Sequence, residues 1–298
     1  MRRNFSSLRS QLAGLDVGDE VPVRVMAVLN VSPESFYQGS VRIQRAHIVT
    51  SAQAMVNAGA NIIDVGAMST APYLKTAISA AEETERLVSA ITAIASEVSV
   101  PISADTKRAE PARAALAAGA TIINDVGGLK YDPRMAEVTA RAKAGVIVMA
   151  SELTPQSGSP MVRIRTALND SLLIAERAGI PHEHIVLDPG IGFFRQPEIP
   201  WHEWDRVVLQ ELANLRELGF PLLVGVSRKS FIGKVLNQPN TDDRLIGSLA
   251  CATIAVYNGA HIIRAHDVKE TAEAVRMAEW LRPRLAAVKN EELKIKSD

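Results

Sequence analysis

Ile185-Val-Leu-Asp188-Pro189-Gly190-Ile-Gly192-Phe193-Phe194 is the stretch on which the reading of this chain turns. Its apolar start suits a short buried strand, and a carboxylate, Asp188, stands where that strand must stop. Pro189 cannot donate a ladder hydrogen bond, and Gly190 and Gly192 permit backbone angles closed to other residues. A strand that ends in a carboxylate and opens into a proline–glycine loop is built to present that carboxylate. An aspartate beside proline and glycine more often caps its own turn, so the segment gains weight only if the plan recurs.

It does recur. Short apolar runs at 25–30, 61–65, 101–105, 121–124, 145–149, 221–225 and 259–264 repeat the pattern of 185–188. Segments with helical spacing follow them at 46–58, 80–97, 111–118, 134–143, 162–178, 202–218, 244–257 and 268–286, several closed by glycine. Strands that alternate with helices imply parallel strands and right-handed crossovers. Eight such units over about 260 residues predict an α/β fold, a single closed (β/α)8 TIM barrel. The rival is an open doubly wound sheet, but the first strand is not followed by the G-x-G-x-x-G turn usual there. The expected organisation is an N-terminal arm at 1–22, loosely attached, the barrel at 23–288, and a charged tail at 289–298.

The 298 residues are 47% hydrophobic, and 33 basic residues balance 33 acidic ones. No global field favours nucleic acid or an anionic membrane, so any bound anion must be held by a few local groups. The single cysteine, Cys251, lies in an apolar run and reads as a small buried hydrophobe. Without a cysteine pair, and with no secretory signal or membrane-spanning stretch in sight, the expectation is a cytoplasmic protein.

In such a barrel the site lies at the carboxyl ends of the strands. Asn30, Asp64, Asp105, Asn124, Asp188, Lys229, Arg264 and His266 all fall at or just past those ends. Each alone could serve a turn, but a polar group at nearly every strand end converges on one mouth. Asp105, Asn124 and Asp188 offer acceptors and an amide to a flat heterocycle rich in N–H groups, and Lys229 offers a donor. Arg264 and His266 lie two apart on the last strand, so their side chains point the same way. With Asn30 they could hold an anion, which the planar fork of arginine suits.

From residue 25 to about 270 the chain resembles the dihydropteroate synthase family. The matching segments are Leu29-Asn30-Val-Ser-Pro-Glu-Ser-Phe36, Ile62-Ile-Asp64-Val-Gly66, Ile102-Ser-Ala-Asp105-Thr106 and Ile122-Ile-Asn124-Asp125. Asp188-Pro-Gly-Ile-Gly-Phe193, Ser227-Arg-Lys229-Ser230-Phe-Ile-Gly233 and Arg264-Ala-His266-Asp-Val-Lys269 complete the set. The resemblance implies a (β/α)8 barrel that joins 6-hydroxymethyl-7,8-dihydropterin diphosphate to p-aminobenzoate and releases diphosphate. It implies that Asp105, Asn124, Asp188 and Lys229 hold the pterin. Asn30, Arg264 and His266 would hold the diphosphate, with magnesium at Asn30, and Thr70, Phe193 and Ser230 would line the arylamine pocket. The same resemblance makes Asp105, Asp188, Lys229, Arg264 and His266 the catalytic set, and implies a homodimer through the late helices.

Three loops depart from the family pattern. The family's Gly-Glu-Ser-Thr-Arg-Pro-Gly is Ala67-Met-Ser-Thr70-Ala71-Pro-Tyr73 here, so Ala71 replaces the loop arginine, with Lys75 a nearby substitute. Met149-Ala-Ser-Glu152 replaces a Met-His motif, and Phe194-Arg195 replaces Gly-Lys. One alternative is therefore a methanopterin-type synthase that uses a phosphoribosyl arylamine. Another is a pterin-binding methyl-transfer module, which the retained Ser227–Gly233 motif and the Arg264/His266 pair argue against.

Overall fold

The computed structural model describes residues 7–31, 41–68, 78–195 and 198–282. Its first elements are a hairpin, β1 (Arg9–Leu12) and β2 (Leu15–Gly18). Eight parallel strands follow: β3 (Arg24–Asn30), β4 (Ile62–Gly66), β5 (Ile102–Asp105), β6 (Ile122–Asp125), β7 (Gly145–Met149), β8 (Ile185–Asp188), β9 (Leu223–Gly225) and β10 (Ile262–Ala265). Each pairs with the next in sequence from β3 to β8, β9 pairs with β10, and β10 returns to β3. Between β8 and β9 the ring closes through a parallel bridge from Leu187 to Leu222. The expected barrel is the observed one.

Helices α1 (Val41–Asn57), α2 (Ala80–Ile94), α3 (Ala109–Ala117), α4 (Met135–Ala142), α5 (Pro160–Ala178), α6 (Trp201–Gln210), α7 (Ser230–Leu236), α8 (Leu245–Tyr257) and α9 (Val268–Leu281) surround it. The sequence reading lacks α7, whose seven residues are too few to show a helical period. It also runs α6 through to 218, where a 3-10 segment (Leu212–Leu218) takes over. The principal core lies between strands and helices, where Ile63, Leu87, Ile91, Ile123, Val148 and Leu168 are all buried.

A second, smaller core fills the barrel's lower interior. Met26, Ile62, Ile122, Ile147, Val186, Leu223 and Ile262, each from a different strand, meet Leu12 and Val17 of the hairpin. The N-terminal segment, expected as a loose arm, is thus over its described residues a plug for the barrel floor. Ala13 and Gly14 turn the hairpin with φ of 51° and 84°, a geometry that a two-residue hairpin loop needs and glycine supplies. The Ser10 hydroxyl donates to Ile185 O at 2.7 Å.

Asp19 locks the plug in place. Arg216 donates to both its carboxylate oxygens at 2.7 and 2.8 Å, and the Leu8 N–H donates at 2.8 Å. His261 Nδ1 accepts from the Leu222 N–H, so Nε2 carries the proton that bonds Asp19 at 3.1 Å. Burial works to raise the Asp19 pKa, but these bonds outweigh it and hold the carboxyl well below the usual carboxylate range. Such a group contributes stability above its unfolded pKa near 4 and loses it as pH falls toward the folded value. Asp19→Asn is therefore expected to cost about 3 kcal/mol at pH 7, the scale for breaking a buried ion pair. The deficit against wild type should shrink below pH 4. Urea unfolding of both proteins across that range checks it; equal stability at pH 7 would remove Asp19 from the clamp.

Candidate active site

The strand period puts residues i and i+2 on the same face. Ile62, Ile122, Val186 and Ile262 face the barrel interior, so Asp64, Asn124, Asp188 and Arg264 do so one step higher. Ser103 pairs with Asp64, and Asp105 pairs with Asn124 and Gly66. An apolar floor thus carries a polar layer at the carboxyl ends of β4, β5, β6, β8 and β10. The layer arises from strand geometry, before any side-chain contact is considered.

Arg264 stands at its centre. Its Nε donates to Asp64 Oδ2 at 2.7 Å and its Nη2 to Asp105 Oδ2 at 2.8 Å. Asn124 Nδ2 donates to the same Asp64 oxygen at 3.1 Å, which turns the Asn124 carbonyl oxygen away as an acceptor. Asp64 Oδ1, Asp105 Oδ1 and Asn124 Oδ1 are then buried acceptors with no hydrogen-bond partner among the described residues. Unmet buried polar atoms are rare and costly in native proteins, and here three lie on adjacent strands. Burial raises Asp105 to about 7 against the pull of Arg264, with Asp64 and Glu83 adding to the rise. Burial works against the Arg264 charge, but Asp64 and Asp105 outweigh it and raise its pKa.

Asp64 was visible in the sequence as a strand-end residue, without a role. The structure makes it the wholly buried link between Asn124 and Arg264. Glu83 of α2, also buried, was missed: it accepts from Thr106 Oγ1 and pairs with Arg108 at 2.7 Å, bracing the end of β5. Nothing in an amphipathic helix sequence marks one glutamate as inward-facing.

Beside β8 lies a second compartment. Asp188 Oδ1 accepts from the Gly190 N–H at 2.8 Å, and burial raises its pKa. Lys229 is brought down to about 8, by burial first, with Asp188 opposing. Its Nζ sits 4.6 Å over the Phe193 ring. Gly192 (φ +85°) makes room for it, since a Cβ there would lie 3.0 Å from Lys229 Cδ. Ser230, the first residue of α7, accepts from Arg195 Nη2 at 2.9 Å. Asp205 of α6, fully buried, accepts from the Gly192 N–H at 2.8 Å and is pushed up to about 6 by burial.

At the rim, Asn30 is exposed at the end of β3. A Cβ on Gly66 would lie 3.4 Å from its Oδ1 and 3.7 Å from Asp105 Oδ2, so the two oxygens flank one glycine. His266, exposed at the rim, has Nδ1 3.0 Å from Ser227 Oγ; desolvation within the mouth, then the Arg264 charge, lowers its pKa, which leaves the imidazole neutral at pH 7. Thr70, Ala71 and Lys75 lie outside the described residues. The altered Met149–Glu152 segment ends in a buried ion pair: Arg163 Nε donates to Glu152 Oε1 at 2.9 Å, with a second bond from Nη2. Arg163 lies 4.8 Å over Trp204, whose ring stacks on Phe194 at 4.7 Å. The new glutamate thus braces the loop that carries Phe193.

A closed α/β barrel whose strand ends surround buried unmet acceptors, with Arg264 at their centre, has the acceptor groups that a ligand rich in N–H donors requires. The chain belongs to the pterin-binding enzyme family, whose model matches residues 26–266. It is 40% identical to the dihydropteroate synthase of Synechocystis sp. over 264 residues, 86% of this chain and 89% of that protein. The crystal structure of a Clostridium difficile dihydropteroate synthase in the presence of pteroic acid superposes with a TM-score of 0.82 at 37% identity, covering 88% of this chain and 98% of that one. A Xanthomonas albilineans dihydropteroate synthase with 4-aminobenzoic acid gives 0.81 at 31% identity, covering 93% and 98%.

Proposed function

We propose that this chain is a transferase that condenses 6-hydroxymethyl-7,8-dihydropterin diphosphate with p-aminobenzoate and releases diphosphate. The observation that carries this reading is the trio of unmet acceptors, Asp64 Oδ1, Asp105 Oδ1 and Asn124 Oδ1. A pterin presents N–H and NH2 groups along one edge, the complement of such a row. Of the relatives named above, one was crystallised in the presence of pteroic acid, which already joins a pterin to 4-aminobenzoate, and the other with 4-aminobenzoic acid alone. No observation favours a phosphoribosyl acceptor or methyl transfer.

In this mechanism Asp105, Asn124 and Asp188 bind the ring and Lys229 donates to its acceptor side. Cleavage of the carbon–oxygen bond leaves a cation spread into the pterin, which the fixed carboxylates stabilise without reorganising. Arg264 uses two of its five N–H groups on Asp64 and Asp105 and turns the rest toward the diphosphate. His266 assists as a neutral hydrogen-bonding group. The arylamine, held at Phe193 and Ser230 with Thr70, then attacks the cationic carbon with its nitrogen lone pair, and its surplus proton passes to the released diphosphate or to water.

Among the described residues no three His, Cys, Asp or Glu side chains converge as a metal cage. Magnesium needs none, because it keeps several waters and takes ligands from substrate phosphates. The exposed amide oxygen of Asn30, beside Asp105 across Gly66, fits a single protein donor of that kind. Bound there with the diphosphate, magnesium would neutralise the leaving group.

A homodimer would cover the face of α8 and α9, which pack side by side. Ile246, Ile254, Tyr257, Met277, Trp280 and Leu281 are all exposed there, Ile246 by 80% and Trp280 by 79%. Large apolar side chains exposed on two helices that pack together suit an interaction surface. Trp280→Glu should convert the dimer to a monomer in sedimentation; unchanged mass would move the interface elsewhere. No helix among the described residues is long and apolar enough to cross a membrane. The function is tested by following diphosphate release from the dihydropterin diphosphate with p-aminobenzoate. Steady release is expected, and none with any arylamine would refute the reading.

A further inference from the structure

We propose that Arg195 determines acceptor specificity, its guanidinium binding the anionic group carried opposite the attacking amine. The proposal rests on the transferase reading and names a residue that sets the substrate class at that site. Arg195 replaces the lysine of the family pattern, so its planar fork belongs to this chain.

Two elements fix the side chain. Its guanidinium carbon lies 4.5 Å over the ring of Trp201, the first residue of α6, and its Nη2 donates to Ser230 Oγ at 2.9 Å at the start of α7. An indole over one face leaves the plane of the guanidinium as the direction for hydrogen bonding. In that plane a carboxylate is bound best. Because the Ser230 oxygen accepts from Arg195, the hydroxyl proton is left to donate, and it can serve the same anion. The buried Asp205 carboxylate acts on Arg195 and Lys229 together, holding two cations near one another.

A chain of contacts links the ring site to Arg195. Lys229 acts on Asp188 and sits over the Phe193 ring, and its chain neighbour Ser230 accepts from Arg195. A flat aromatic amine entering beside Phe193 with its nitrogen toward the pterin would turn its far substituent toward Arg195. The charge there selects an anionic substituent over a neutral one.

The test compares wild type, Arg195→Gln and Arg195→Lys with two acceptors of one shape, p-aminobenzoate and p-aminobenzamide. Arg195→Gln should raise KM for p-aminobenzoate at least about tenfold, the value of a charge-assisted bond, with kcat little changed. Its kcat/KM for p-aminobenzamide should move by less than about threefold, and Arg195→Lys should fall between. Equal losses for both acceptors, or none for p-aminobenzoate, would overturn the proposal. If wild type releases no diphosphate with either acceptor, the transferase reading fails separately. Calorimetry of p-aminobenzoate with enzyme holding pterin and diphosphate then decides Arg195 alone, with weakened binding in Arg195→Gln supporting it and equal binding refuting it. A variant that does not fold leaves the Arg195→Lys comparison, where an unchanged ratio of the two acceptors' kcat/KM also refutes it.

Discussion

Asp188→Asn is expected to weaken dihydropterin binding by about a hundredfold or more, with the melting temperature little changed. The amide keeps the oxygen that accepts from the Gly190 N–H, so the loop retains its anchor. What it loses is the charge and the second acceptor, and it turns an NH2 toward donors of the ring. Charge-assisted hydrogen bonds contribute roughly 1.5–3 kcal/mol each, so two lost bonds amount to about 3 kcal/mol or two powers of ten. Stability should not suffer, because burial already disfavours the charged form of Asp188. Calorimetry with the dihydropterin diphosphate checks this. Wild-type affinity in the variant would take Asp188 out of the site.

Arg264→Ala should lower both diphosphate affinity and stability, and the stability loss should depend on pH. Removing the guanidinium leaves Asp64 and Asp105 as buried carboxylates facing one another across its place. Asp105 is already raised to about 7 with Arg264 present, and without it the pKa rises further. A carboxyl with a raised folded pKa loses stability as pH rises from its unfolded pKa near 4 to the folded value. Wild type stops losing at about 7, the variant with its higher value goes on losing, and the deficit between them opens at high pH. The variant should therefore be about 3 kcal/mol less stable than wild type at pH 8, roughly 6 °C in Tm, and much closer at pH 5. Diphosphate should bind at least about tenfold more weakly. A stability deficit that is flat across pH 5–8 would mean that the two carboxylates do not sense Arg264.

The barrel was legible because its evidence is local and repeated: apolar runs of four or five residues, helical spacing, and glycines at helix ends such as Gly179, which has φ of 76°. The polar layer was legible for the same reason, since its members lie at or near the ends of short apolar strands. What remained hidden depends on distant partners. Asp64 and Arg264 lie 200 residues apart, and no spacing announces that one will hold the other. Asp205 and Glu83 sit on helices whose inward faces are otherwise apolar, so a buried carboxylate there breaks the pattern that a reader relies on. The hairpin strands are four residues each, too short for alternation to show which side is buried. Met149–Glu152 looked like an altered acceptor loop, but Glu152 is spent on Arg163 within the protein.

The plug at the barrel floor has a kinetic consequence. Its anchors lie far downstream: Ser10 reaches 175 residues ahead, Asp19 reaches 197 and 242, and the Val23 N–H finds Glu279 at 256. On the ribosome the hairpin emerges long before any of these partners. It must wait, with Leu12 and Val17 in water, until strands from the far half of the barrel arrive. Closing loops of that length is slow, so the floor is sealed late and the nascent chain offers a sticky end to chaperones meanwhile.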